Sequence, residues 1–344
     1  MSAIFRSICR LFSTTAVFML LFQFAEAQSG FDEADALLEK NKKALGNNAV
    51  LMVWKEGKVV HQKAIGEYTA KTQVPVDGAG RWISATVIMK LVEEGKIELD
   101  APIVQYLPIF SKYLKNYITV RHCLSNTTGT EGSSGLGLLK KKKYENLEAA
   151  VNAFAAREIL QKPGEAFHYG DIGISIAARI AEVVTKKGFD RLVQEKITRP
   201  LKMRGTNFNN DTGGAIDPAE GAKSSPQDYI NFLSMLMNEG KFEDKQILSK
   251  ESVDELLKSQ LGDAKIVYIP AAMRDFAYGF GCFVHERDNA GNGTIVSCPS
   301  FTGTWPWINR EKKYACILIA KGGGLMEQKR DFFEQLRAAV ESSL

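Results

Sequence analysis

Side chains that could do chemistry are few and scattered along this chain. The four histidines, His61, His122, His168 and His285, fall in no H-E-x-x-H or comparable spacing, which argues against a metal centre. No glycine-rich phosphate loop occurs, and no cofactor is expected. Nucleophiles remain to be considered. Beyond residue 27 the cysteines are Cys123, Cys282, Cys298 and Cys316, with no C-x-x-C pair among them. Cys298 could attack a carbonyl if Tyr169 or His168 activated its thiol; a structural or disulfide cysteine is the plainer reading. Spacing alone does not say which cysteines, if any, pair. Tyr169 is either a phenol that handles protons or a core tyrosine with a satisfied hydroxyl. Arg81 stays protonated at any working pH, so it can hold an anion or a carboxylate but cannot serve as a base.

These residues need elements to position them, and the clearest element lies between Pro75 and Pro108. Ile83, Val87, Leu91 and Val92 recur at helical spacing, with Ile88 and Met89 broadening the apolar stripe. Gly95 stands where a glycine following a helix belongs, and Pro102 forbids further helix. Upstream, Phe31 to Leu45 reads as a helix. Ala49 to Trp54 and Val59 to Ala64 read as a hairpin around Lys55-Glu56-Gly57-Lys58. Downstream, Thr119 is an N-cap for a short helix that stops before Gly129. Leu147–Leu160, Ile172–Thr185, Phe189–Ile197, Ser225–Asn238 and Lys250–Ser259 read as helices. The last third turns to strands at Tyr278–His285, Thr294–Ser297, Thr304–Asn309 and Tyr314–Ala320, before a closing helix over Met326–Val340. This order supports an α+β class.

Composition narrows the function classes. The 344 residues carry 44 basic and 40 acidic side chains, a net charge of +4 that gives no argument for nucleic acid. Arg6 and Arg10, the apolar Ala16–Phe24 and the small-x-small Ala25-Glu26-Ala27 read as a signal peptide over residues 1–27. The expectation is an exported protein, periplasmic or secreted, without a stable membrane anchor after cleavage. Gly132 to Gly137 reads as a flexible loop. The lysine run Lys140–Lys143 reads as a solvated face, with an anion or cell-wall contact as the alternative.

The Pro75–Pro108 stretch, with its LVEEGK, LDAP and YLP strings, resembles the serine beta-lactamase and penicillin-binding-protein hydrolases, in their class C and esterase-like branch. Ile118–Gly129 and Pro200–Met203 are similar to further segments of that family, and the likeness covers nearly all of residues 31–343. It implies a mostly antiparallel sheet flanked by helices. The sheet region would span about 28–75 and 270–344, with a helical region inserted over about 76–269.

The resemblance also implies a site built from three motifs, and this chain departs from each. In S-x-x-K the spacing places an attacking serine and a proton-accepting lysine on one helix face. Here Gly78 stands at the nucleophile position and Arg81 at the lysine position. In Y-x-N the tyrosine is kept as Tyr169, while Asp171 replaces the asparagine. Asp171 is expected to pair with Arg81, since the two changes are charge-matched. In the third motif Cys298-Pro299-Ser300 occupies the H-T-G place, followed by Thr302; a register with Phe301-Thr302-Gly303 competes. Asn126 replaces a usual histidine.

Cys298, Ser300, Thr302 and Asn126 are the expected binding residues. Ser84 lies six residues past Gly78 and points away from that face. The expectation is a protein that does not acylate but binds a ligand in the cleft, such as a peptidoglycan-like peptide or a small molecule, or a protein partner. The alternative is a hydrolase working through Cys298, Tyr169 or Asp171.

Overall fold

The structure is a computed structural model that describes residues 30–130, 143–210, 213–300, 302–322 and 329–344. Its centre is a seven-stranded sheet. The strands are β1 (Ala49–Lys55), β2 (Lys58–Ile65), β3 (Ala277–Tyr278), β4 (Phe283–Arg287), β5 (Gly293–Ser297), β6 (Trp305–Asn309) and β7 (Tyr314–Ala320). They run in the order β2-β1-β7-β6-β5-β4-β3, and each neighbouring pair is antiparallel. The α+β class and the mostly antiparallel sheet are therefore what the chain adopts. The expected β1–β2 hairpin turns at Glu56-Gly57, whose φ values of 49° and 88° suit the twist of the flanking strands.

Among the described residues the α-helices are α1 (Asp32–Lys40), α2 (Gly80–Glu93), α3 (Val120–Leu124), α4 (Leu147–Ala155) and α5 (Ile172–Thr185). They continue with α6 (Phe189–Val193), α7 (Pro226–Met237), α8 (Lys250–Leu257) and α9 (Arg330–Ser342). Both faces of the sheet are covered, which is why β1 and β7 are apolar at almost every position rather than alternating. On one face Leu51, Val53, Trp307 and Cys316 pack with Leu38 of α1 and Leu336 of α9. On the other, Val50, Met52, Ile308 and Ile317 join Phe232 and Leu236 of α7 and the apolar residues of α2.

Helix α2 departs from the amphipathic reading, because it is buried on nearly every side. Its two hydroxyl side chains are satisfied within the core: Ser84 Oγ donates to Pro218 O at 2.6 Å and Thr86 Oγ1 to Trp82 O at 2.8 Å. The helix ends as expected. Gly95, with φ of 68°, sends its N–H to Val92 O, and Lys96 N–H reaches Leu91 O. Two glycine-free caps also follow the sequence: Thr119 closes a capping box with His122, and Ser225 accepts from Asp228 N–H.

Several boundaries differ from the sequence reading. The strand expected over Tyr278–His285 is split into β3 and β4 by a turn in which Gly281 takes φ of 72° and Gly279 N–H bonds to Cys282 O. Helix α4 ends at Ala155 rather than Leu160, because the buried Lys115 Nζ donates to the carbonyls of Ala155 and Arg157. Helix α6 passes into a π-helical turn, Gln194–Thr198. The signal peptide, the loop over 132–137, most of the lysine run, Phe301 and the expected start of the closing helix at Met326 lie outside the described residues.

Candidate functional site

The start of α2 meets three other segments of the chain. A 3-10 turn, Asp77–Ala79, leads into the helix, and Gly78 is buried there. A Cβ at Gly78 would lie 3.0 Å from Arg81 Nη1, 3.2 Å from Pro299 O and 3.5 Å from Ser300 Cα. The guanidinium thus occupies the space into which a side chain at position 78 would project. Gly78 is absent from the residues with positive φ, so its backbone conformation does not demand a glycine; a Cβ there would be tight and would require Arg81 and Pro299 to give slightly.

Arg81 is 3% exposed. Its Nη1 donates to Tyr169 Oη at 2.7 Å, its Nη2 to Glu220 Oε1 at 3.2 Å, and its guanidinium lies 4.6 Å from the centre of the Tyr169 ring. Its Nε–H is buried without an acceptor. Burial works against the charge, but Tyr169, Glu220, Tyr278 and Asp171 together hold the Arg81 pKa above its ordinary value, so the group remains a cation.

Two carboxylates act on Arg81. Glu220 forms an ion pair with it, and Asp171, the partner expected from the sequence, adds a smaller contribution to the rise of the arginine pKa. Asp171 precedes α5, where its carbonyl accepts from Ser175 Oγ at 2.8 Å.

Glu220 was not found from the sequence, because nothing local marks it. It is held by a turn in which Asp217 Oδ1 accepts from the N–H groups of Ala219 and Glu220, at 2.9 and 3.0 Å. Ser84 ties down Pro218, and a Cβ on Gly80 would come within 2.6 Å of Ala222 Cβ. Gly80 is therefore what lets this segment approach the helix. The one available signal was the arginine itself, since a buried cation requires a carboxylate somewhere.

The third motif runs under and beside Gly78. Cys298 Sγ contacts Gly78 O at 3.3 Å and Ala79 O at 3.7 Å, and Tyr229 Oη donates to Ala79 O at 2.8 Å. Ser300 Oγ lies 3.0 Å from Thr302 Oγ1, which donates to Asp77 Oδ2 at 2.5 Å. Asp77 has φ of 41°, an uncommon conformation for a non-glycine residue, and this side-chain bond helps to hold it. Asn126, with φ of 57°, reaches the site through its backbone: its carbonyl accepts from His168 N–H, one residue before Tyr169. Tyr169 N–H in turn bonds to Tyr268 O. Gly78, Arg81, Tyr169, Cys298 and Ser300 therefore gather at one place.

The groups there are poor nucleophiles. Burial pushes the Cys298 thiol up to about 12, with Arg81 and the Trp82 N–H offsetting only part of the rise. Burial likewise raises Tyr169 above its ordinary value, against the pull of Arg81. At neutral pH the site presents a cation, a neutral phenol and a neutral thiol. A separate cavity of about 880 Å³, lined among others by Trp54, Asp254, Thr294 and Arg310, shares no residue with these motifs. Among the described residues no cluster could hold a metal ion.

Comparison with known proteins places this arrangement. The Beta-lactamase family model matches residues 36–340. A beta-lactamase candidate from Bacteroides dorei superposes with a TM-score of 0.81 at 28% identity, covering 90% of this chain and 99% of that one. The octameric penicillin-binding protein homologue from Pyrococcus abyssi superposes at 0.72 with 20% identity, over 89% of this chain and 76% of that one, a likeness of fold. Protein flp of Staphylococcus aureus (strain MW2) is 24% identical over 171 residues, which are 46% of this chain and only 34% of that protein. The chain thus spans about a third of the length of this curated relative. With the sheet, the helix start and the tyrosine in the arrangement described, the chain belongs to the Beta-lactamase family.

Proposed function

We propose that this chain is an exported member of the family that does not form an acyl-enzyme and instead binds a ligand over the Arg81–Tyr169 floor. The observation that carries the reading is the Arg81 Nη1 atom, 3.0 Å from where a Cβ at Gly78 would stand. The attacking oxygen is missing, and a cation fills its place. In a serine hydrolase the loss of the nucleophile alone costs about 10⁶ in turnover, or about 8 kcal/mol of barrier. Arg81 cannot replace the lysine as a proton acceptor. A peptidoglycan-like peptide or a small molecule bearing a carboxylate or carbonyl suits this chemistry.

The rival reading, a hydrolase that attacks through Cys298 or Tyr169, requires a thiolate or phenolate that burial disfavours at both residues. The discriminating experiment exposes the purified protein to a penicillin and to a fluorophosphonate, then records its intact mass. The expected result is an unmodified protein with both probes. A stoichiometric covalent adduct overturns the proposal, and its attachment site would name the nucleophile.

A further inference from the structure

Strands β4 and β5 pair with Phe283 opposite Ser297 and Val284 opposite Val296. The paired ladder ends there; continuing its register by one residue sets Cys282 against Cys298. The neighbouring hydrogen bonds define the kind of position. Cys298 N–H donates toward β6, to Pro306 O at 3.3 Å, and Cys282 O accepts from Gly279 N–H on the β3 side at 2.8 Å. Each backbone bonds away from the other cysteine, so the two share a non-hydrogen-bonded site. That is the closer of the two antiparallel arrangements, with Cα atoms about 4.5 Å apart, inside the roughly 4.4–6.8 Å that a disulfide spans.

Both side chains leave the same face of the sheet, where Cys282 Sγ lies 3.7 Å from Leu256 O and Cys298 Sγ 3.3 Å from Gly78 O. Cys282 and Cys298 enter the same apolar cluster as Val296, while Phe283 and Tyr278, at the alternate positions, enter the opposite one. Cys316 on β7 belongs to that opposite cluster, and Cys123 sits on α3. All four are free thiols in this structure. Cys298 is also the residue whose sulfur touches the Gly78 carbonyl.

We propose that Cys282 and Cys298 are a cross-strand redox pair. A small-molecule disulfide oxidises them to a disulfide, and closing it withdraws the Cys298 S–H from Gly78 O at the floor of the cleft. One thiolate attacks the oxidant's sulfur and expels a reduced thiol. The second cysteine then displaces the second thiol from the mixed disulfide. The pair gives up two electrons and two protons, and the oxidant is reduced to two thiols. Burial keeps both thiols protonated, so exchange is slow in the folded chain and faster during refolding or at raised pH.

The test refolds the full chain with oxidised glutathione, blocks remaining thiols with an alkylating reagent under denaturing conditions, and maps the unreduced digest by mass spectrometry. The expected result is a peptide joining Cys282 to Cys298, with Cys123 and Cys316 alkylated. Alkylation of both Cys282 and Cys298, or a crosslink that involves Cys123 or Cys316 instead, overturns the proposal. This readout needs no variant and does not depend on whether the cleft acylates. For the coupling to the cleft, amide exchange at Ala79–Trp82 is compared between the oxidised and reduced protein. A several-fold faster exchange in the oxidised form is expected, and equal rates refute the link to Gly78.

Discussion

Gly78→Ser is the perturbation that tests the site most directly. The new Cβ would meet Arg81 Nη1 at 3.0 Å and Pro299 O at 3.2 Å. The arginine cannot simply swing aside, since Tyr169 and Glu220 hold both of its terminal nitrogens. Overpacking of this kind costs about 1–3 kcal/mol. Gly78→Ser should therefore lower stability by about that amount and gain no acylation, because its neighbour at position 81 still cannot take a proton. Arg81→Lys alone should also destabilise, by the loss of charge-assisted hydrogen bonds, each about 1.5–3 kcal/mol.

The double variant is the informative one. A lysine has no planar head at the Nη1 position, so the clash is relieved and the two costs should fall short of additive by about 1 kcal/mol. Urea unfolding of the four proteins closes the cycle, and intact mass after penicillin treatment reads acylation. Additive costs, or a Gly78→Ser protein as stable as its parent, would refute the claim that the guanidinium fills the serine's space. Stoichiometric acylation of the Gly78→Ser single variant would refute the claim that Arg81 blocks the chemistry.

Two further predictions concern charge. Glu220→Gln keeps the shape of the side chain but leaves the Arg81 cation short of its counter-charge. It should cost about 1–2 kcal/mol in urea unfolding, and Asp171→Asn should cost less; the reverse order would make Asp171 the true partner. Burial, with Arg337 and Arg330 nearby, lowers the His285 pKa from 6.5 to about 3. Its ring packs on Phe276 at 3.8 Å and bonds to Ser297 Oγ at 2.6 Å. Above pH 6.5 the ring is neutral folded or unfolded. Below that, the unfolded chain takes up a proton the folded one refuses, so stability should fall between about pH 6.5 and 3, with a slope of up to about 1.4 kcal/mol per pH unit. A His285→Gln variant should show a shallower decline over that window; an unchanged pH profile would remove His285 as its source.

Much of the architecture could be read along the chain because it is encoded locally. The bounds of α5, the Thr119 cap, the Glu56-Gly57 turn and the Gly95 helix stop each depend on residues within a few positions of one another. The placement of Gly78 and Arg81 against the S-x-x-K pattern was equally local, since it needs only residue identity and a helical spacing of three. Period-two and period-3.6 patterns do not report how many sides of an element are covered. That is why α2 read as amphipathic and proved buried, and why the strand over Tyr278–His285 read as unbroken.

The partner of Arg81 lies 139 residues away in sequence. The close approach of Ala222 to Gly80 brings Glu220 to it, beside the contribution of Asp171 that the motif had suggested. The pairing of Cys282 with Cys298 depends in the same way on strand register. Residue types and their local spacing determined that a glycine and an arginine stand three apart at the start of this helix, which is what the proposal of a non-acylating site rests on. Which carboxylate and which thiol surround Gly78 was decided by the packing of distant segments, because contact energy depends on separation in space, which sequence distance does not specify.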